Sequence, residues 1–575
     1  MLGHRGSAAR AAAARPASPG ASRCPVTRHT SHTRALHSQT NAPRAAPILR
    51  ASQTSQAPPA KTADQEAPSA SPAPAPAADA DADADAEAAD AAPTTTTTAT
   101  GPPRPAPLPT DLPPVSFDDV VLLQTFGWTS HQRQGDGGAP FWRRLAAQAP
   151  QIAALGATHA WLPPPSASVS PEGYLPGQLY DLNSAYGSSR DLKACCDALK
   201  AAGVRPEADI VVNHRCADRQ DEHGTWNLYS DTGADETPID EGDGRGGRAS
   251  IEWDKWAITS DDPKFGGRGN PDSGADFEGA PDLDHRNQDL RLALVDWLAW
   301  LREDFGFESW RLDFAKGYAP EYAGCYVART LPDGYFAVGE LWCDLRWTDE
   351  GKPAADQDAA RQAICDWLDG VRAGGGDAAA FDFVTKGVLQ AALASGELWR
   401  LRDASGKPPG VAGWWPQRGV LFVENHDTGS SQAHWPCRAD CVPAAYAYVL
   451  THPGIPCLFS EHALDPPPES PVRRAIEALV AARRAAGVGA GSALAIREAK
   501  QGLYVADVQG KKQALRVKLG PEMDMGAWLP RGEDGWALAA SGQGFAVWSR
   551  DREAMRDEAA SAEAPPQSSS APAAR

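Results

Sequence analysis

At 575 residues the chain is long enough for one large domain and one or two smaller ones. Its formal net charge of −19 makes nucleic acid and anionic membrane surfaces poor partners. No apolar run is long enough to span a bilayer, so no membrane partner is expected.

The charge is unevenly spread. Residues 1–63 hold eight Arg, one Lys and no acid; the first acidic residue is Asp64. An Arg-, Ala- and Ser-rich, acid-poor start has the composition of an organelle transit peptide. Composition leaves chloroplast and mitochondrion open, and a disordered basic tail on a cytosolic protein is the plain alternative. Residues 64–114 are Pro/Ala-rich, with an Asp-Ala repeat from Asp79 to Asp85 and a Thr run from Thr94 to Thr98. Such sequence has too little apolar surface to pack and predicts a solvated linker. Residues 552–575 predict a similar tail, which leaves 115–551 as the folded part. The cysteines are scattered, with no Cys-x-x-Cys pair of the metal-binding kind. They read as buried thiols of a reducing compartment.

From Asp119 onward, strand-like and helical runs alternate. Val120–Phe126 predicts a strand, Phe141–Leu155 an amphipathic helix, and Thr158–Leu162 a second strand closed by three prolines. Asp191–Ala202 predicts a helix ended by Gly203, followed by the strand Val204–Asn213. The alternation runs to about residue 488. It fits a (β/α)8 barrel over 115–488 better than a doubly wound sheet. One connection, rich in Gly, Asp and Asn, is too long for a plain loop and predicts an inserted domain over 214–285. The helix Leu290–Arg302 follows it. After a helix at Val472–Ala486, the segment 489–551 shows short alternating runs: Tyr504–Val508, Leu515–Leu519 and Gly544–Trp548. These predict a C-terminal antiparallel β-domain.

Four predicted strands end in polar clusters: Asp209–His214, Trp310–Lys316, Val338–Glu340 with Trp342, and Val423–Asp427. Strand C-terminal ends converge on one mouth of a parallel barrel. Alternation puts Arg311 and Asp313 on one face. An arginine there is expected to lower the Asp313 pKa and keep it ionised. Converging carboxylates and histidines cost stability, so a purely structural origin explains them poorly.

In this order, the four clusters resemble the signature regions of the α-amylase family, glycoside hydrolase family thirteen. The likeness is closest to plant-type members. It extends through Trp161–Pro165, Tyr174–Asp181, Gly269–His285, Gly413–Pro416 and Thr451–Gly454. The resemblance implies Asp313 as nucleophile, Glu340 as acid and base, and Asp427 as a carboxylate supporting the transition state. It further implies that His214 and His426 donate to the bound sugar, that Arg311 orients Asp313, and that Lys316, Trp342, Tyr174 and His159 line the cleft. Calcium (Ca2+) is the implied cofactor. Asn213, Asp272 and Asp282 would give side-chain oxygens and Ala275 and Gly317 carbonyls, with Asp261, Asp276, Phe277, Ala280 and Asp282 able to form a second site. A third ion is not expected, because Arg248 stands in Asp240–Glu252 where the pattern wants an acid. Trp414 and Trp415 resemble a starch-granule surface site, with core packing as the alternative.

The resulting expectation is a plastid-targeted, calcium-dependent, monomeric α-amylase acting on starch and α-glucans. A debranching or transglycosylating activity of the family is the nearest rival. A non-catalytic glucan-binding protein is the rival from another class, and the three carboxylates speak against it. Two departures from the family pattern stand out: Glu424 where an aspartate is usual, and Cys343 after Trp342.

Overall fold

Short runs of branched and aromatic residues, too apolar to face water on either side, can bury both faces only inside a ring of helices. The computed structural model, which describes residues 112–133, 138–231 and 251–551, shows that arrangement. The strands are β1 (Leu122–Gln124), β2 (His159–Leu162), β3 (Arg205–Ile210), β4 (Ser309–Leu312), β5 (Ala337–Gly339), β6 (Ala379–Phe381), β7 (Gly419–Phe422) and β8 (Ile455–Phe459). Each pairs in parallel with the next, and β1 also pairs with β8, which closes the barrel. Register places Asp209 beside Arg311, and Arg311 beside Val338.

The strands are shorter than the sequence pattern suggests. The run Val204–Asn213 leaves the ladder after Ile210, and Leu421–Thr428 is mostly loop beyond Phe422. Polar residues follow several of the strands because there the chain turns into the solvated mouth. The predicted helices form with small shifts. Ser189–Ala201 begins with the Ser188 hydroxyl accepting from the Asp191 N–H at 3.2 Å. Gln288–Phe305 ends at Gly306, whose φ of +82° suits glycine. No helix among the described residues is long and apolar enough to cross a membrane.

Between β3 and the helix Gln288–Phe305, three short strands, Arg219–Gln220, Trp226–Asp231 and Ile251–Trp253, form a small antiparallel sheet. Bridges His214 to Asp282 and Ile258 to Leu283 tie the two ends of this excursion together. The C-terminal strands β9 (Ala493–Lys500), β10 (Leu503–Gln509), β11 (Gln513–Leu519), β12 (Ala537–Gly542) and β13 (Phe545–Asp551) form a separate antiparallel sheet in the order β9-β10-β11-β13-β12. It joins the barrel through His452, which stacks on Tyr448 at 3.8 Å and bonds the Tyr504 hydroxyl at 2.8 Å.

The linker boundary needs correction. Leu112 N–H donates to buried Glu308 at 3.0 Å, and Tyr335 donates to the Leu112 carbonyl at 3.0 Å. Residues 112–114 are therefore part of the barrel's lower face. The expected transit segment, most of the linker, the tail and most of Asp240–Glu252 lie outside the described residues. The nine described cysteines are all free thiols.

Candidate active site

Arg311 organises the mouth. It is fully buried on β4, with its guanidinium 4.9 Å above the Trp161 ring. Its Nη1 donates to Asp209 at 2.7 Å and to Asp313 at 2.5 Å. Its Nη2 lies 2.7 Å from Glu340 Oε1, but the approach is not aligned as a hydrogen bond. Asp209 takes two further donors, Trp161 Nε1 at 2.9 Å and the Tyr174 hydroxyl at 2.8 Å. Phe314, directly after Asp313, has φ +41°, a strained backbone for a bulky residue, and its N–H faces Glu340 Oε2 at 3.4 Å.

Arg311 pulls the Asp313 pKa down as expected, but not below its ordinary value. Burial raises Asp313, and the arginine only opposes that rise. Burial also raises Glu340, with Asp313 adding to the rise, and lifts Asp427 well above the usual carboxylate range. The distribution of donors still separates the acids. Asp313 accepts directly from Arg311 at 2.5 Å, and its charge adds to the rise at Glu340.

His426 is buried and neutral, its pKa pushed well down by desolvation. The Gln124 amide meets its Nδ1 at 2.9 Å, which leaves the proton on Nε2, 3.3 Å from Asp427 Oδ2. The Nε2–H of His426 faces Asp427 without the alignment of a hydrogen bond. The expectation for His214 is changed by its partner. Its Nε2 donates to the Tyr174 carbonyl at 2.9 Å and its ring stacks on Phe277 at 3.8 Å. It holds the Tyr174 loop, and Tyr174, stacked on His426 at 4.9 Å, is the half-buried aromatic face.

His159 is misplaced by the sequence reading. It is the first residue of β2, paired with Leu122 and Arg205 at the end of the barrel opposite the mouth, and packs on Phe336. Burial holds its pKa at about 3, so it is a core histidine. Lys316 is exposed above the Phe314 ring, and Trp342 stacks on Phe383 at 4.8 Å; both lie just past strand ends. Sequence reasoning gave no role to Gln124, Trp128 or Asp209. Trp128 lies parallel to Tyr174 at 5.9 Å and to His426 at 6.1 Å. Its position just beyond a predicted strand was the available signal.

The calcium set can be tested by its orphaned oxygens. Asn213 Oδ1 and Asp272 Oδ2 are buried without a hydrogen-bond partner. Gly317 has no room for a side chain, since a Cβ would fall 2.0 Å from Asn213 Oδ1, and Gly274 packs on Gly317 from the other side. Asp282 takes Asn213 Nδ2 at 2.8 Å and the Phe277 N–H at 3.0 Å. Burial, with Asp276 and Asp272 nearby, pushes Asp282 up to about 8. Both oxygens of Asp261 already face the Asp272 N–H, Asp276 is exposed, and Ala280 is buried. Among the described residues no group of three or more His, Cys, Asp or Glu side chains converges as a metal site. The oxygens that lack partners are an amide and a single carboxylate, a donor set suited only to a hard cation that also accepts carbonyls.

Trp414 and Trp415 lie just before β7, at the end of the barrel away from the mouth. Arg361 covers Trp414 at 4.1 Å and Arg372 covers Trp415 at 4.5 Å. Both are half-buried, and Trp415 also packs against the main core.

A closed parallel barrel with carboxylates gathered at one mouth is the architecture of a barrel enzyme. Residues 142–333 match the α-amylase catalytic domain, and residues 485–549 match the α-amylase C-terminal β-sheet domain. The chain is 44% identical over 428 residues to "Probable alpha-amylase 2" of Arabidopsis thaliana, covering 74% of this chain and 93% of that one. It is 40% identical over 429 residues to "Alpha-amylase 3, chloroplastic" of the same plant, covering 74% of this chain and 44% of the relative. An Anoxybacillus α-amylase structure shares the fold with a TM-score of 0.52 at 14% identity, over 76% of this chain and 97% of that one. The chain belongs to the α-amylase family. Its reaction class is hydrolysis of α-1,4-glucosidic bonds.

Proposed function

We propose that the protein is an endo-acting, retaining α-amylase that cuts internal bonds of starch and related α-glucans. One observation carries this reading: a single guanidinium reaches both Asp313 and Glu340. Carboxyls that close leave no room for the water of an inverting enzyme and suit a double displacement. Asp313 attacks the anomeric carbon while Glu340 gives its proton to the leaving oxygen. Glu340 then takes a proton from water, which releases the sugar from Asp313. Asp427, beside His426, supports the charge that develops on the sugar ring. Tyr174, Trp342 and Lys316 contact substrate in the cleft, while Arg311 and His214 position their neighbours.

Calcium would be held by Asn213, Asp272, Asp282 and the carbonyls of Ala275 and Gly317, with the orphaned oxygens as the support. It would supply structural cross-linking between the excursion over 214–285 and the end of β4. A second ion at Asp261, Asp276, Phe277, Ala280 and Asp282 has weaker support, because Asp261 is already engaged. The division into a barrel over 115–488, an inserted calcium-binding domain over 214–285 and a β-domain over 489–551 follows the same reading. Trp414 and Trp415 would bind granule surfaces. Residues 1–63 would direct the protein to the plastid, supported by their composition and by the chloroplastic relative. The working form is taken as a monomer.

The deciding experiment is reducing-sugar release and product analysis on amylose and pullulan. Rapid loss of amylose chain length with a spread of products is expected. Cleavage restricted to pullulan, or formation of longer glucans, would replace the α-amylase reading with debranching or transglycosylation. A fluorescent fusion of residues 1–63 should enter plastids, and entry into mitochondria would overturn that assignment.

A further inference from the structure

Asp427 sits in a loop that its own strand does not fix. The chain leaves β7 at Phe422, runs outward, and returns through Trp435. The returning limb is paired with the acid itself: His434 N–H donates to the Asp427 carbonyl at 3.0 Å, and Trp435 N–H to that of Thr428 at 3.1 Å. Between these pairs Ser430 and Ala433 have φ of +53° and +48°. Side chains other than glycine hold that conformation only where the surroundings impose it. The limb therefore needs a clamp from outside the loop.

The helix Phe383–Ser395 supplies one. Lys386, almost fully buried in its first turns, donates from Nζ to the Trp435 carbonyl at 3.0 Å and to Gln390 Oε1 at 2.6 Å. The ammonium also lies 5.1 Å from the Trp435 ring centroid and 6.0 Å from that of Phe422. The next residue, Gly387, has no Cβ where the Trp435 ring comes down; one would fall 2.3 Å from that ring. The helix surface is thus shaped to receive this tryptophan. A buried ammonium is costly wherever hydrogen bonds and rings must replace water. Burial pushes its pKa down to about 8, which is consistent with that cost. A methionine would fill the same space without it.

We propose that Lys386 is a positioning residue for Asp427: its ammonium clamps the Trp435 carbonyl, and the paired limb then holds the Asp427 carboxylate in its working direction. The inference rests on the reading of Asp427 as a functional carboxylate.

A double-mutant cycle in the full chain tests it, using a short soluble maltooligosaccharide with a good leaving group. Lys386→Met should lower kcat about tenfold or more, with KM changed by less than about threefold and cooperative melting kept, as expected for a group acting only on the transition state. In an Asp427→Asn background the same change should cost less than about twofold, because coupled residues are not additive. Gln390→Leu, one turn along the same helix face, removes the ammonium's other acceptor without touching the loop. It should lower kcat in the same direction, again only when Asp427 is present, and it serves if Lys386→Met does not fold. Losses that add in full to that of Asp427→Asn, for either variant, would overturn the inference. So would wild-type kcat in Lys386→Met while Asp427→Asn is inactive. Near wild-type activity of Asp427→Asn alone would instead overturn the reading of Asp427 and remove the ground for the clamp.

Discussion

Proton placement at single residues decides what this mouth can do. Burial raises all the carboxylates, so the useful difference is which one has donors. Asp313 accepts from Arg311 at 2.5 Å, whereas Glu340 has the misaligned Nη2 and the more distant Phe314 N–H at 3.4 Å. Asp313→Asn should therefore lower kcat by about three orders of magnitude or more, since an amide cannot form the glycosyl-enzyme. Retention of even a tenth of wild-type kcat would show the nucleophile to be another residue. A second buried acid, Glu207, lies two residues before Asp209 on β3. Ser309 has one proton and two neighbours, the Phe336 carbonyl at 2.8 Å and Glu207 Oε2 at 2.5 Å. Burial holds the Glu207 carboxyl at about 8 against an ordinary 4.5. The unfolded chain loses the carboxyl proton first, so the folded state is favoured below pH 4.5 and loses stability as pH rises toward 8. The loss is at most about 1.4 kcal/mol per pH unit for one group. Glu207→Gln should flatten that slope relative to wild type in denaturant unfolding between pH 5 and pH 8. Identical slopes in the two proteins would mean that Glu207 is ionised when folded.

The order of elements was largely legible, because apolar runs alternating with amphipathic ones leave few options besides a barrel. The strand ends were legible for the same reason: a polar cluster after an apolar run marks the turn into the mouth. What escaped was direction and partnership. His159 looked like a cleft residue, but only the strand's start, not its composition, shows that it faces the opposite end. His214 was visible, yet a sequence cannot show that the Tyr174 carbonyl already claims its proton. Gln124 acts from β1 and Trp128 from the loop after it, far away in sequence from the residues they touch. The long connection between β3 and Gln288 was visible in the sequence, and its orphaned oxygens give the calcium reading its test. Chelation should lower the melting temperature as well as activity, since a ligand at a hundred times its Kd stabilises the folded state by about 2.7 kcal/mol. Asn213→Ala removes one orphan, so its melting temperature should respond less to added calcium than that of wild type. Calorimetry should show the matching loss of affinity. A wild-type protein whose melting ignores both chelator and calcium would remove the ion from the account.

Across the whole molecule, catalysis and granule attachment are expected at opposite ends of the barrel. Asp427 follows the C-terminal end of β7, whereas Trp414 and Trp415 precede its first residue, Gly419. A short glucan in the mouth cannot reach both, but a granule presents many chains at once. The two tryptophans are not equivalent. Trp415 packs against the main core as well as under Arg372, while Trp414 has Arg361 as its principal cover. Aromatic stacking contributes about 0.5–1.5 kcal/mol beyond area burial, so losing Trp414 alone should weaken granule adsorption by about threefold to tenfold. Stability should fall little in Trp414→Ala. Trp415→Ala should also weaken adsorption, but with a clear drop in melting temperature, because truncating a packed tryptophan costs up to about 3–5 kcal/mol. Neither change should alter kcat/KM on a maltooligosaccharide too short to leave the cleft. Adsorption isotherms, short-substrate kinetics and melting on the same two variants separate the roles. Full adsorption by Trp414→Ala, together with a large folding defect in both variants, would reduce the pair to core packing. Equal losses on granule and short substrate at unchanged stability would place the pair in the cleft, against the geometry of β7.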